Sequence, residues 1–249
     1  MIKFFSKIRK NLIKEDKTTE YFKYAIGEIV LVVIGILIAL QINNWNANRL
    51  VENNITNYYE RIIVELDGET KKAEYQKLSL DSLIYKSKRA LRIIDSKNTD
   101  SIPLLKNLLG AIATTWDVDF QFPITKEFIS QNYLSKIKND TVKMNFKGLT
   151  SLFDRSERIR DFNKTQYLNT IEPFFNKNIK YSEVALQDYR KDLVQGGPKV
   201  NDENLFNNLE LWNIITFKLE ALLGESRMLE YSIRDFGITK EYLKKELEN

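Results

Sequence analysis

The sequence predicts an all-α protein: a single N-terminal transmembrane helix followed by an exported helical bundle of about four main helices. Three observations carry this expectation. Residues 29–40 are twelve unbroken apolar residues. The chain that follows repeats its apolar residues at helical rather than alternating spacing. Neither Cys nor His occurs in the 249 residues, so disulfides, zinc sites, His or Cys haem ligation and Ser–His–Asp or Cys–His catalysis are excluded.

The segment 24–43 reads YAIGEIVLVVIGILIALQIN, with Glu28 and Gln41 as its strongly polar residues before Asn43. At 1.5 Å per residue, Tyr24 and Trp45 stand roughly 31 Å apart, close to a hydrocarbon core of about 30 Å. Tyr21, Tyr24 and Trp45 supply aromatic anchors at the two interfaces. Twelve apolar residues would also suit a buried core helix, but such a helix has no reason to carry aromatic flanks at bilayer spacing. A cleaved signal peptide fits poorly, because no A-x-A-like site follows the apolar run. The segment is expected to remain as a signal anchor.

Seven Lys and Arg residues lie in 1–23, whereas Arg49 and Arg61 are the only two in 43–62. The positive-inside rule therefore places residues 1–23 in the cytoplasm and residues 44–249 on the exported side. In 1–23, Lys3, Lys7, Lys10 and Lys14 form a basic stripe beside Met1, Phe5, Ile8 and Leu12, as in an amphipathic helix lying on anionic lipid. The same stripe also serves as the topology-setting flank of the anchor. The formal charge of +4 is concentrated here: residues 1–28 hold seven cations against four acids, and the other 221 hold 31 against 30. A nucleic-acid partner would need a basic face on the folded domain, and none is expected.

Within the span, Gly35 and Ala39 are a small-xxx-small pair, and Gly27 and Leu31 extend the ridge toward the cytoplasm. Small residues let helices approach in lipid, so this is a candidate packing face for a second copy or another membrane protein. Glu28 is a costly intramembrane carboxylate, either functional or snorkelling to the inner interface beside Lys23. Gln41 and Asn43 could supply hydrogen bonds at the other end.

Beyond Trp45 no proline occurs until Pro103. Positions 52, 55, 59, 62, 66, 69, 73, 76, 80, 83, 87, 90 and 94 form a stripe that is apolar except at Glu52, Glu69, Gln76 and Ser87. Gly68 is a candidate break, and residues 95–100 a turn. Pro103 opens a short helix; Trp116, Asp117, Val118, Asp119 and Phe120 begin an alternating non-helical stretch; Thr125 is expected to cap the next helix. An amphipathic segment from Val142 to Ile171 is expected to stop or bend at Pro173. Residues 174–200 read as irregular and end in the breaker Gly196, Gly197 and Pro198. The last helix carries Leu205, Leu209, Trp212, Ile215, Leu219, Leu222, Leu229, Ile233 and Phe236 as its apolar stripe, interrupted by Ser226.

Candidate chemistry is sparse. Asp117 and Asp119 could share a hard cation, but the oxygen-ligand spacing and glycine turn of a calcium loop are missing, so neither metal nor cofactor is expected. Asp154 with Arg158, and Glu157 with Arg160, read as surface ion pairs on a helix. The sequence thus favours a non-enzymatic module for partner binding or oligomeric assembly. A sensory or solute-binding bundle, which requires a pocket between helices, and an ion-coupled assembly built on Glu28 are the alternatives.

The opening MIKFFSKIRKNLI followed by YAIGEIVLVVIGILIALQINNWN resembles the N-terminus of a bacterial membrane family known as domain of unknown function number 6090. The resemblance covers roughly the first fifty residues. It implies a bacterial envelope protein and places Gly27, Glu28, Gly35, Gln41, Asn43, Asn44 and Trp45 in the family's motif. It implies no reaction.

Overall fold

The computed structural model describes residues 18–115 and 118–248; helices make up most of these, and no strand occurs among them. The first helix, α1, comprises Thr18–Ser96. The chain divides into two compact units, Met1–Asn57 and Tyr58–Asn249.

In the first unit, α1 carries the one segment among the described residues that is long and apolar enough to cross a membrane, and none of it is buried. That combination is compatible with a single-pass membrane protein, because an apolar helix without a polar stripe has no face suited to water. Trp45 lies under the Arg49 guanidinium, 5.3 Å from ring centroid to Cζ. An indole beneath a cation suits a headgroup layer, where apolar and charged surroundings meet.

The second unit is built on α1 from Tyr58 onward, joined by α2 (Ile102–Ile112), α3 (Pro123–Ser130), α4 (Asp140–Gln166), α5 (Glu172–Asn178), α6 (Tyr181–Val184), α7 (Gln187–Arg190) and α8 (Leu209–Glu248). The α1 stripe behaves as its periodicity requires. Tyr59, Ile62, Leu66, Ala73, Leu80, Leu83, Ala90 and Ile94 are buried, and so are the polar members Glu69 and Ser87. Gly68 does not break the helix; it is exposed, with open space where a side chain would stand. The helix stops at Ser96 because Lys97 turns left-handed, with φ 52°, and Asn98 accepts from the Asp100 N–H to start a 3-10 turn.

Two aromatic clusters and one aliphatic cluster fill the core. Phe128 stacks on Phe146 at 4.9 Å and meets Tyr58 edge-on at 5.5 Å. Phe122 contacts Phe153 at 4.6 Å and Phe236 at 5.4 Å. The aliphatic cluster joins Ile93 and Ile94 of α1, Leu105, Leu109 and Ile112 of α2, Phe174 and Phe175 of α5, and Leu211 and Ile215 of α8.

Three expectations are corrected. Leu205 lies in a 3-10 turn, Asp202–Asn207, before α8, and Leu209 is exposed. The buried face of α8 is instead the row Leu211, Ile215, Lys218, Leu222, Glu225, Leu229, Ser232, Phe236, Thr239 and Leu243, which alternates apolar with polar residues. Several of its polar members find internal partners: Asn163 donates to Glu225 Oε1 at 2.6 Å, and Ser232 donates to the Met228 carbonyl. Second, Phe162 and Leu168 of the amphipathic segment are exposed. Third, Pro173 neither stops nor sharply ends the helix. Its missing N–H and its ring are absorbed by a π turn, Tyr167–Ile171, in which Glu172 N–H reaches back to the Tyr167 carbonyl before α5 continues.

Candidate functional site

Thr125 is not a cap. The helix α3 begins at Pro123 behind Phe122, which contributes no side-chain cap. The cap comes from Glu65 on α1: Ile124 N–H donates to Oε1 at 2.7 Å, while Thr125 N–H and its fully buried hydroxyl donate to Oε2 at 3.0 and 2.6 Å. One turn further along α1, Glu69 accepts from Gln121 N–H at 3.1 Å. Burial pushes the Glu69 carboxyl up, against the lowering effect of that N–H and of Lys72. Two carboxylates spaced i, i+4 thus hold the start of α3 and the extended stretch before it, in which Val118, Phe120 and Phe122 alternate inward. Asp119 faces the other way, taking Arg160 at 3.0 Å and Gln121 Nε2 at 2.8 Å. Arg160 therefore finds its carboxylate on this segment and not on its own helix.

A second set of contacts holds the short helices. On α2, Lys106, Asn107 and Gly110 face α6 and α7. Gly110 is buried so tightly that a Cβ there would stand 1.6 Å from the Val184 carbonyl oxygen. Lys106 bonds both Glu183 and Asp202. Burial acts to lower the Lys106 ammonium, but those two hydrogen bonds outweigh it and hold its pKa above the ordinary value. The same bond and one from Lys180 hold the Glu183 carboxyl below its ordinary range. Arg190 donates to Asn107 Oδ1 at 2.8 Å and to the Ala185 carbonyl at 2.9 Å.

These anchors open a cleft between the end of α2, the π turn, and α6 and α7. Its main chamber, about 600 Å³, is walled by Tyr167, Tyr181, Tyr189, Ala113, Thr114 and Leu186. A smaller chamber of about 130 Å³ shares Tyr167 and Tyr181 and adds Glu172, Phe175 and Asn176. The main volume suits a small ligand. Burial raises the Tyr167 phenol, helped by the nearby Tyr181 and Glu172. The rings of Tyr181 and Tyr189 are left 45% and 65% exposed, so a guest in the cleft would cover them. Tyr181 and Tyr189 lie in the stretch 174–200, whose sequence reads as irregular, and Tyr167 near the end of the amphipathic segment before it. The signal in the sequence is three tyrosines within 23 residues around a proline, with a double glycine following.

The residues singled out from sequence fall elsewhere. Gly27, Leu31, Gly35 and Ala39 are exposed along the apolar part of α1, and nothing stands within 4 Å of a Cβ built on either glycine. Glu28 is half-buried; Gln41, Asn43, Tyr24 and Trp45 are exposed. Lys3, Lys7, Lys10, Lys14 and Asp117 lie outside the described residues, as does the side chain of Tyr21.

The chain matches no family model, no curated protein and no solved structure.

Proposed function

We propose that the chain is a non-enzymatic, single-pass protein of a bacterial inner membrane, related to the family numbered 6090, whose periplasmic bundle of about four main helices serves partner binding or oligomeric assembly. The observation that carries this is the unburied apolar run at residues 29–40, next to a basic flank that orients it. Membrane lipids are its first partners. A second copy or another membrane protein is the next, taken up on the ridge of Gly27, Leu31, Gly35 and Ala39, which offers a close approach. Two measurements test the reading. Protease added outside spheroplasts should digest the large C-terminal portion, and protection of that portion would overturn the orientation. Gly35→Leu and Ala39→Leu should each lower crosslinked oligomer in membranes, and unchanged yield in both would remove the ridge as a pairing face.

A second reading, solute binding, is favoured by the tyrosine cleft, which provides the pocket such a bundle requires. The ion-coupled alternative places a proton on Glu28 during function; Glu28→Gln should then abolish pH dependence, and an unaltered profile would dismiss it.

A further inference from the structure

We propose that the tyrosine cleft binds a small organic cation, an amine carried on a hydrocarbon body. This rests on the solute-binding reading and names the class of solute.

The argument is one of charge and surface. Three aromatic rings line the main chamber from three separate elements: Tyr167 opens the π turn, Tyr181 opens α6, and Tyr189 sits in α7. Each ring face presents the negative side of its quadrupole, which attracts an ammonium group and also packs well against hydrocarbon. Among the described residues, Glu172 is the only charged side chain lining either chamber. It stands in the small chamber beside Asn176, next to the shared wall of Tyr167 and Tyr181.

Cations lie close by, yet none lines either chamber; Lys218 reaches the Thr114 carbonyl at 3.4 Å from the buried face of α8. Lys180 pairs with Glu183 at 2.7 Å, and Arg190 bonds Asn107 and the Ala185 carbonyl. An anionic solute would meet one carboxylate, three phenols and no cation along the described walls. A neutral solute would leave the Glu172 carboxylate without a complement. A cation satisfies both features at once, its ammonium in the small chamber and its apolar body against Tyr181, Tyr189 and Leu186. The two volumes, about 130 and about 600 Å³, divide in the same sense as such a molecule: a compact head and a larger body.

The test uses the full chain in neutral detergent micelles, with matched empty micelles as the reference, and three probes of one shape: phenethylamine, 2-phenylethanol and 3-phenylpropionate. Isothermal titration should show the amine binding at least fivefold tighter than the alcohol, and the carboxylate weakest. Glu172→Gln should remove that preference by weakening the amine. Tyr189→Ala, at an exposed position, should weaken amine and alcohol together without changing the melting temperature. Equal binding of amine and alcohol to the unaltered chain, or preference for the carboxylate, would overturn the cation assignment while leaving the cleft a solute site. Absence of binding by all three probes would overturn both. A preference for the amine that survives in Glu172→Gln would overturn the role of the carboxylate, and with it the proposal.

Discussion

Substituting Gly110 by alanine isolates the contact that seats α6 on α2. An alanine Cβ at this position would lie 1.6 Å from the Val184 carbonyl oxygen and 2.8 Å from its carbon. Both are backbone atoms, so no rotamer change relieves the clash. Restoring ordinary contact requires α6 to recede by roughly 2 Å, an overpacking cost at or above the upper end of about 1–3 kcal/mol. The helix propensity of alanine returns about 1 kcal/mol. The net expectation is a loss of about 2 kcal/mol, which for a domain of this size lowers the melting temperature by roughly 4–8 °C. Gly148 in α4 provides the control, because it is exposed and a Cβ there meets nothing within 4 Å. Gly148→Ala should gain about 0.5–1 kcal/mol from propensity alone. Thermal melts of both variants, followed by far-ultraviolet circular dichroism in the same micelles, make the comparison. A Gly110→Ala protein that melts at or above the unaltered chain would refute the seating of α6 and the cleft wall built on it.

Glu65→Ala removes the carboxylate that accepts three hydrogen bonds and strands a fully buried Thr125 hydroxyl; a loss of about 3 kcal/mol is expected in denaturant titration, and a loss under about 1 kcal/mol would mean that the grip is dispensable. Glu183 is held below its ordinary pKa of 4.5, first by Lys106 and then by Lys180. A depressed carboxyl stabilises the fold above its unfolded pKa and loses that contribution as pH falls through the folded value. Glu183→Gln should therefore melt below the unaltered chain at pH 7, with the gap closing toward pH 3; a gap constant across that range would sink this account. Ser87→Ala deletes a buried hydroxyl with no hydrogen-bond partner among the described residues. It should leave stability unchanged or raise it slightly, and a loss above about 1 kcal/mol would show that the hydroxyl is satisfied in solution.

What the sequence could and could not announce follows from the range of the forces involved. The α1 stripe from Tyr59 to Ile94 was legible because apolar residues at helical spacing declare a buried face without reference to a partner. The burial of Lys218 and Glu225 was not, since a polar residue becomes a core residue only when another helix brings a complement, as α4 does with Asn163. Thr125 was misread as a cap for the same reason: its true partner, Glu65, is sixty residues earlier. Pro173 is expected to stop or bend the helix by a local rule, and the chain instead passes it through a π turn. The tyrosine cleft was invisible because α6 and α7 have four residues each, too few for periodicity, and are held by Lys106, Asn107 and Gly110 from another part of the chain.

The grip of Glu65 and Glu69 also makes the start of α3 depend on a distant stretch of chain. With eight residues, α3 is shorter than a helix that persists alone in water, and its leading amides find their acceptors on α1. A ribosome delivers those acceptors first, so α1 can act as a template on which the later turn condenses. Exchange of the Ile124 and Thr125 amides with deuterium would then report the parting of two distant stretches of chain, not the fraying of a local coil.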